Sequence, residues 1–522
     1  MVAGEGGLFC AAAPPGWSSA FCPVTTGART RDFAVALPAA ARKRRAQRRG
    51  MSLTPASSST RFSARLGLGV GALASFLGYA GIASLAVPYY QMTLGVNPVL
   101  LGVALALPRL WEAFLDPVMG NVSDNFRSRW GRRRPFIAAG AVALGALYGL
   151  IWMVPPRWSE AAKVAYFSSV SVLFFTAYTV YSVPYSALTY EFSSEHHERT
   201  RVMAHASFFH KLGELGYQWI FPLSQLALFG SAVVGIRVVG WGVGLLLLTG
   251  AGLVPALVVR ERTVAPPVGA GRVRFWAGVR GALANRPFLI VAGLVLVNTV
   301  MGMLASGLDH YVLVYYLFGG DIALGSTWKA VLSSGYALIG LGAIPLVVAV
   351  SRRCGKRETL IALYALTSVG GLFKWVAFNP SHPWLIVLDP LLCGPIWVAS
   401  QVLFASMLAD ICAEDELASG LRRAGMFGAI YSWIQKTAVS VSYLGAGVAL
   451  ALSGFEQSLG AAQAGSTFTS LRVLLVASTA LPPLAAIALL RAYPLDARRA
   501  EATRAVLADR AARAVGAPPG GR

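Results

Sequence analysis

The sequence predicts an all-α integral membrane protein in which twelve transmembrane helices form two bundles of six. Of its 522 residues, 56% are hydrophobic and 13% are charged, whereas about a quarter of a soluble domain is charged. The apolar residues fall into runs of about twenty, and a helix of that length crosses a hydrocarbon core of roughly 30 Å. The runs are continuously apolar, without the alternation typical of outer-membrane strands. These observations favour helices over a barrel.

The apolar runs give the order of the predicted helices. Six lie in the first half, at 64–92, 98–119, 135–154, 164–188, 204–229 and 234–258. Six more lie in the second half, at 286–318, 326–350, 358–378, 384–409, 426–453 and 470–490. Residues 259–285 are rich in Arg, Gly and Pro, which predicts a linker between a bundle at 61–258 and a bundle at 286–490. A short basic turn recurs at the same place in each half, at 128–133 and 351–357, as expected of parallel repeats.

Both ends of the chain are basic. Residues 1–60 lack an apolar core long enough for a signal peptide, and we expect a disordered extension. Met51 directly precedes the polar lead-in to the first helix, so two interpretations stay open: an over-extended start, or a basic arm that contacts anionic lipid. Residues 491–522 predict a basic cytoplasmic tail with a short surface helix.

The charges in the loops predict the orientation. With a cytoplasmic N-terminus, nineteen Arg and Lys residues fall on the cytoplasmic side. The opposite side then holds Arg157, Lys163, Arg237, Lys329 and Arg472. This asymmetry follows the positive-inside rule and predicts a multi-pass protein of the inner, cytoplasmic membrane with both termini in the cytoplasm. The net charge of +22 therefore marks topology, and we expect no nucleic-acid partner.

The sequence offers no pattern typical of an enzyme. The five cysteines show no metal-ligand spacing: Cys10, Cys22, Cys354, Cys393 and Cys412. We expect no disulfide, no metal site and no cofactor. Catalysis would need a nucleophile triad, a metal cluster or a phosphate loop, and none is present in the sequence.

Two carboxylates and an arginine lie inside the second apolar run. Glu112 and Asp116 are spaced i, i+4, so both project from one face of a helix. Two close carboxylates in a low dielectric cannot both stay ionised cheaply, so the pair needs a shared proton or a bound monovalent cation. Arg109, one turn earlier, can neutralise one charge. We interpret these residues as a cation-coupling site, and the alternative is a structural ion pair with Arg109.

The same helix leads into a dense motif. The motif reads Asp116-Pro117-x-x-Gly120-x-x-Ser123-Asp124-x-x-Arg127-Ser128-Arg129-Trp130-Gly131-Arg132-Arg133-Arg134-Pro135. It resembles the signature of the glycoside/pentoside/hexuronide:cation symporter family of the major facilitator superfamily, and its basic end resembles the sucrose transporters. A second match lies at Asp410, Glu414–Glu416 and Gly420–Gly425. The resemblance covers residues 61–490 and implies the major facilitator fold.

The resemblance implies roles for particular residues. In that family the positions of Glu112 and Asp116 form the Na⁺ or H⁺ site, together with a fourth-helix threonine that matches Thr179. Lys436 matches an eleventh-helix lysine, and we expect it to face the carboxylates across the bundle; a snorkelling lysine is the alternative. Leu115 stands where some members have an asparagine, which removes an oxygen ligand and favours H⁺ without excluding Na⁺.

The substrate residues of the family carry over only in part. Phe76 and Ser182 stand where galactoside-binding members have aspartates, so a carboxylate clamp on a galactoside is not expected. Aromatic faces and neutral donors suit a small neutral solute such as a sugar or glycoside, although each of these residues alone also fits ordinary packing. We expect the cavity to include Lys436, Phe76, Tyr178, Tyr181, Ser182, Tyr185, Trp397 and Gln401.

Three polar groups remain. The basic motif resembles a cytoplasmic latch, which we expect Asp124, Arg127, Arg129 and Arg132 to form through ion pairs; the alternative is topology marking alone. His210, Lys211 and Glu214 lie in the fifth helix, where a local Lys211–Glu214 pair is favoured over substrate binding. Asp309 and His310 lie in the seventh helix, where a gate or a rim role is equally open.

The resemblance implies a secondary active transporter that moves a sugar or glycoside together with H⁺ or Na⁺ by alternating access between two conformations. Two alternatives stay open. The first is an uncoupled facilitator, in which the carboxylates are structural. The second is a carrier of a non-sugar amphiphile, which an apolar opening between helices would favour. In each case the partners are a solute, the lipid bilayer and, for the symporter, a monovalent cation.

Overall fold

The structure is a computed structural model that describes residues 58–192, 196–259, 261, 275–420, 423–495, 499–503, 505–507 and 509. The secondary-structure elements of the described chain are all helices, and the chain forms one compact unit from residue 58 onward. The predicted extension at 1–60 lies almost wholly outside the described residues. In the tail, 499–503 and 505–507 are helical.

The first half contains six helices. They are α1 at Ser58–Ala86, α2 at Pro98–Asn125, α3 at Arg134–Ile151, α4 at Glu160–Glu191, α5 at His196–Gly216 and α6 at Ala232–Val258. A π-helical turn at Val87–Thr93 prolongs α1, and a short helix at Ile220–Ser224 follows α5. Asn97 begins α2, because its side chain accepts a hydrogen bond from the backbone N–H of Val99 at 2.8 Å and so satisfies a free donor.

The second half repeats the arrangement. Its helices are α7 at Arg286–Tyr311, α8 at Ile322–Cys354, α9 at Lys356–Ala377, α10 at Pro395–Ser419, α11 at Ala424–Leu452 and α12 at Gly465–Arg491. A π-helical turn at Val312–Leu317 prolongs α7, and short helices at Pro383–Leu388 and Asp389–Cys393 precede α10. Asp321 begins α8 by accepting a hydrogen bond from the N–H of Leu324 at 2.9 Å.

The all-helical membrane fold predicted from the sequence is confirmed. Ten of the described helices are long and apolar enough to cross a membrane. The two other expected spans fall at α5 and α11, which are helical but more polar: α5 carries Lys211 and Glu214, and α11 carries Gln435 and Lys436. In α5 the charged first residues add to this polarity.

Several boundaries differ from the prediction: α2 ends at Asn125 and not at 119, and α10 ends at Ser419 and not at 409. The fifth helix was expected at 204–229, but α5 begins at His196 and the helix is interrupted at Tyr217–Trp219. The first residues of α5 are charged, so a search for apolar runs does not detect where this helix begins. Residues 259–285, expected to be a linker, contain a helix at Phe275–Leu283, which we call the linker helix.

The two halves meet where α2 crosses α11. A Cβ atom on Gly102 of α2 would lie 2.7 Å from the carbonyl oxygen of Tyr443. A Cβ atom on Gly447 of α11 would lie 2.6 Å from the carbonyl oxygen of Pro98. Glycine is therefore needed at both positions for the backbones to approach so closely. The crossing lies near the start of α2 and the end of α11, away from the arginine-rich turn that follows α2.

Candidate functional site

The acidic pair of α2 meets a lysine of α11 inside the bundle. Lys436 Nζ donates to Glu112 Oε1 at 2.7 Å and also to Asp116 Oδ2. The side chain of Glu112 is 1% exposed, that of Lys436 14% and that of Asp116 28%. One ammonium therefore bridges two carboxylates across the interface between the halves.

Arg109 holds Glu112 from the other side. Its Nη1 donates to Glu112 Oε2 at 3.1 Å, and its Nη2 donates to the carbonyl oxygen of Tyr79. The guanidinium also lies over the rings of Tyr79 and Phe175, at 4.3 and 4.2 Å from their centroids. These contacts fix Arg109 in a buried position, and with Lys436 they balance the two negative charges.

Thr179 of α4 completes the group. Its hydroxyl donates to Asp116 Oδ1 at 3.2 Å. The hydroxyl and the two carboxylates supply the hard oxygen ligands that a monovalent cation binds, and either carboxylate can accept a proton. The four side chains that the sequence predicts for this site are thus brought together with Lys436. Among the described residues, no group of three or more His, Cys, Asp and Glu side chains could hold a metal ion.

A cavity of about 450 Å³ lies between the halves. Four of the predicted cavity residues line it: Phe76, Tyr178, Trp397 and Gln401. Aromatic residues Tyr79 and Tyr217 and the amide of Asn298 also contribute to its wall. The cavity therefore combines aromatic faces with neutral hydrogen-bonding groups, as in sites that bind small polar ligands.

Four other predicted cavity residues lie elsewhere. Tyr181 donates to the carbonyl oxygen of Gly71 at 2.9 Å and Tyr185 to that of Leu68 at 2.6 Å, and their rings stack 5.5 Å apart. Both hydroxyls therefore bind the backbone of α1, one and two turns along α4 beyond Tyr178. Ser182, also beyond that turn, and Lys436, which is held by the carboxylates, are not among the lining residues.

The second half contributes four buried charges, of which the sequence analysis named Asp309 and Lys329 but not Lys374 and Asp389. We call Asp309, Lys329, Lys374 and Asp389 the charge cluster. Lys374 Nζ lies 3.1 Å from Asp309 Oδ1 and 2.9 Å from Asp389 Oδ2, and Tyr336 donates to the same Asp389 oxygen at 2.5 Å. All four charged side chains are at most 6% exposed. The sequence signal that could have predicted this cluster is the presence of charged residues inside apolar runs.

The charge cluster corrects the predicted locations of two residues, Lys329 and Asp309. Lys329 was counted with the loop charges of the opposite side although it falls in the predicted helix at 326–350, and it lies within α8 and is buried. Asp309 was left as a gate or rim residue, and it is a buried partner of Lys374 instead. His310 bonds Ser326 through its Nε2 at 2.9 Å. On α5, the expected pair forms, with Lys211 Nζ 2.6 Å from Glu214 Oε2, and both residues line the cavity.

The arginine turn after α2 is held through a different arginine from those predicted. Arg133 pairs with Asp124 at 2.8 Å and with Glu191 at 2.6 Å. Arg132 also pairs with Glu191, at 2.6 Å. Arg127 and Arg129 are exposed and form no ion pair with any described residue. The predicted pairing of Asp124 with Arg127, Arg129 and Arg132 is therefore corrected to Arg133.

Backbone geometry explains the choice of Arg133. Gly131 has a φ of +103°, which reverses the chain, and a Cβ atom there would lie 2.7 Å from the Glu261 carboxyl group. Glu261 accepts hydrogen bonds from the backbone N–H groups of Arg132, Arg133 and Arg134 at 2.7 to 2.9 Å. Burial lowers the pKa of the Arg133 guanidinium, but its bonds to Glu191 and Asp124 outweigh burial and raise that pKa.

The second half has a corresponding turn. Gly355 has a φ of +89° between α8 and α9. Lys356, the next residue, donates to Asp410 of α10. Near the start of α11, Arg423 pairs with Asp415 at 2.5 Å. A positive-φ glycine followed by a buried or half-buried cation thus recurs at the same place in the two halves.

Comparison with known proteins gives matches along most of the chain. The sequence profile of the family described as MFS/sugar transport protein matches residues 67–497. The uncharacterized symporter YnaJ of Bacillus subtilis is 23% identical over 421 residues, which are 80% of this chain and 88% of YnaJ. A glucuronide carrier protein homolog of Escherichia coli is 25% identical over 401 residues, 75% of this chain and 83% of the relative.

Two further matches concern a sugar transporter and a solved structure. The isoprimeverose transporter of Lactiplantibacillus pentosus is 21% identical over 399 residues, 76% of this chain and 81% of the relative. The crystal structure of the nucleoside transporter NupG (D323A mutant) aligns with a TM-score of 0.60 at 12% identity, covering 82% of this chain and 99% of NupG. At this identity the structural match shows the fold alone.

Proposed function

The chain belongs to the MFS/sugar transport protein family, and from this premise we propose that it carries a sugar or glycoside across a membrane together with a monovalent cation. Relatives named as symporters, as a glucuronide carrier homolog and as an isoprimeverose transporter support this function. Transport proceeds by alternating access, in which the two halves expose the cavity to one side of the membrane at a time.

The bridge from Lys436 to Glu112 and Asp116 is the observation that carries the proposal. The ammonium neutralises the carboxylates and ties α11 to α2. A cation that binds the carboxylates supplies the same positive charge and frees Lys436, so the tie between the halves depends on whether the cation is bound. A ligand shifts a two-state protein when it favours one state over the other, and this exchange of partners provides that difference.

The coupling ion is H⁺ or Na⁺. The donors Glu112, Asp116 and Thr179 provide carboxylate and hydroxyl oxygens for Na⁺, and the carboxylates accept H⁺. Leu115 adds no oxygen ligand, which favours H⁺. We also propose that the arginine-rich turns lie in the cytoplasm and that the protein resides in the inner membrane. Lys329 is buried and is therefore not a loop charge. Without it the opposite side has one basic residue fewer, so the difference in positive charge between the two sides is larger.

The solute is a small molecule that fits a cavity of about 450 Å³. Trp397, Tyr178 and Phe76 offer aromatic faces on which the apolar face of a sugar ring stacks. Gln401 and Asn298 offer amide groups for its hydroxyls. These groups suit a sugar or glycoside better than a long-chain lipid.

The test is solute uptake into proteoliposomes, with H⁺ and Na⁺ movement recorded separately over a panel of glycosides. We expect cation entry driven by one glycoside, and we expect Asp116→Asn to abolish it. Asp321→Asn is the control, because asparagine begins a helix as well as aspartate does and Asp321 lies outside the site. Solute exchange that survives Asp116→Asn, with no cation signal in the wild type, would identify an uncoupled facilitator instead.

A further inference from the structure

A second cavity, of about 140 Å³, lies between the two halves at the crossing of α2 and α11. Gly102 and Gly447, the glycines of that crossing, both line it, and α1, α7 and α8 also contribute to its wall. A water molecule occupies about 30 Å³ in the liquid. The second cavity therefore has room for a small ion or a few water molecules, and much less room than the cavity of about 450 Å³.

The wall of the second cavity carries positive charge. Two charged side chains line it, and both are cations: Arg109 and Lys329. Their carboxylate partners are Glu112, 3.1 Å from Arg109, and Asp309, 3.7 Å from Lys329. Neither carboxylate is among the lining residues, and none of the described residues on this wall is an aspartate or a glutamate. A small anion in the cavity therefore meets two cations and no facing carboxylate.

Lys329 has hydrogen-bonding capacity left for a ligand. Its Nζ bonds the hydroxyl of Ser306 at 3.0 Å, and Ser306 also lines the second cavity. Asp309 Oδ2 is 3.7 Å away, beyond hydrogen-bond distance. Because an ammonium group has three donors, the contacts with Ser306 and Asp309 leave Lys329 able to donate into the cavity.

Two further donors of this wall have no partner among the described residues. They are the amide nitrogen of Gln91 and the hydroxyl of Tyr311, and each side chain belongs to a residue that is 4% exposed. Gln91 lies in the π-helical turn that prolongs α1, and Tyr311 is the last residue of α7. Both line the second cavity. A buried donor without an acceptor costs free energy, so these groups point to a ligand that accepts hydrogen bonds.

We propose that the second cavity binds one halide ion, and we call it the anion site. The ion accepts hydrogen bonds from Gln91 Nε2, from the Tyr311 hydroxyl and from Lys329 Nζ. Arg109, which is already bonded to Glu112 and to the carbonyl oxygen of Tyr79, contributes its charge. The anion site goes beyond the proposed function, because a halide is neither the transported solute nor the coupling cation.

The anion site joins the two halves of the protein. Gln91 and Arg109 belong to the first half, and Tyr311 and Lys329 belong to the second. A bound halide therefore stabilises the arrangement in which α2 contacts α11. Since a ligand that binds only the folded state raises the melting temperature with its concentration, occupancy of the site can be measured without a transported solute.

The experiment is thermal unfolding of the purified full-length protein as sodium gluconate is replaced by sodium chloride or sodium bromide. Ionic strength, pH and Na⁺ stay constant, so the proposed cation site is equally occupied throughout. We expect the melting temperature to rise with halide concentration and to saturate. Tyr311→Phe and Gln91→Met should each weaken the apparent halide affinity about ten- to hundredfold, since each removes a hydrogen bond to a charged ligand.

The same two variants separate loss of the site from damage to the fold. In gluconate each should melt at the wild-type temperature or above it, because each removes a buried donor that has no partner. Tyr493→Phe is the matched control: its hydroxyl is also buried without a partner among the described residues, but Tyr493 lines neither cavity, so halide affinity should not change.

Two results would overturn the anion site. One is a wild-type melting temperature that is the same in chloride, bromide and gluconate. The other is a halide affinity that stays unchanged in both Tyr311→Phe and Gln91→Met. Either result would mean that the cavity holds water only, and neither would bear on the proposed transport of a sugar or glycoside.

Discussion

Removal of the Lys436 ammonium is predicted to tighten cation binding. In the structure this group donates to both carboxylates of the proposed cation site, at 2.7 Å to Glu112 and also to Asp116. An arriving cation must therefore displace it. Lys436→Met keeps a long unbranched side chain and removes the charge, which leaves the carboxylates with Arg109 and Thr179 as partners.

The magnitude follows from the bonds that are lost. A hydrogen bond to a charged group contributes about 1.5 to 3 kcal/mol. Lys436 makes two such bonds. Because its side chain is 14% exposed and that of Asp116 28% exposed, we use the free energy of only one hydrogen bond. At about 1.4 kcal/mol per factor of ten, the apparent affinity for the coupling cation should rise roughly 10- to 100-fold.

Two assays separate this effect from simple damage. In the first, the cation concentration for half-maximal solute binding is measured for the wild type and Lys436→Met. In the second, solute exchange is compared with net uptake, because exchange does not require the cation-free carrier to return. We expect exchange to survive and net uptake to fall, since the empty variant has no ammonium to balance its carboxylates.

The control is Lys163→Met. Lys163 donates to the carbonyl oxygen of Leu94 at 3.1 Å, outside the proposed site, and its loss should leave cation affinity unchanged. An unchanged or weaker cation affinity in Lys436→Met, with exchange intact, would refute the competition between the ammonium and the cation.

Three further changes test the packing and the basic turn. Gly102→Ala places a Cβ atom 2.7 Å from a carbonyl oxygen of α11 and should destabilise the protein by about 1 to 3 kcal/mol. Gly445→Ala, where a Cβ atom meets nothing within 4 Å, should leave the melting temperature unchanged or slightly raised. Arg133→Gln breaks two ion pairs whose acidic partners are half-exposed and should lower the free energy of unfolding by about 1 to 3 kcal/mol. The control Arg129→Gln should lower it by less than about 0.5 kcal/mol. Thermal unfolding of both variants is the measurement. Tyr185→Phe removes one buried hydrogen bond and should cost about 0.5 to 1.5 kcal/mol while solute affinity in a binding titration stays constant.

The sequence supports predictions where a signal is local. Apolar runs give the helices, and the i, i+4 spacing places Glu112 and Asp116 on one face of α2. The contact with Lys436 came from resemblance, because a separation of 320 residues to Asp116 carries no spacing rule. Family membership likewise followed from a continuous motif.

The features that could not be predicted from the sequence depend on tertiary packing. Lys374 pairs with Asp309 of α7 and with Asp389 of the short helix before α10, and these three residues are far apart in sequence. Tyr178 lines the cavity and Tyr185 does not, although both lie on α4 and both contact α1. The choice of Arg133 over its neighbours depends on the left-handed backbone at Gly131 and on Glu261, which lies 130 residues further along.

The glycine contact between α2 and α11 has a kinetic consequence. Near Gly102 and Gly447 the backbones of the two helices approach each other closely, so backbone atoms make part of the contact between the halves. When α2 and α11 separate there, dispersion contacts of about 0.1 to 0.2 kcal/mol per atom pair are lost, but the two glycines have no side chain that must change rotamer. We expect bulkier residues at Gly102 or Gly447 to slow turnover by slowing the separation of the two helices.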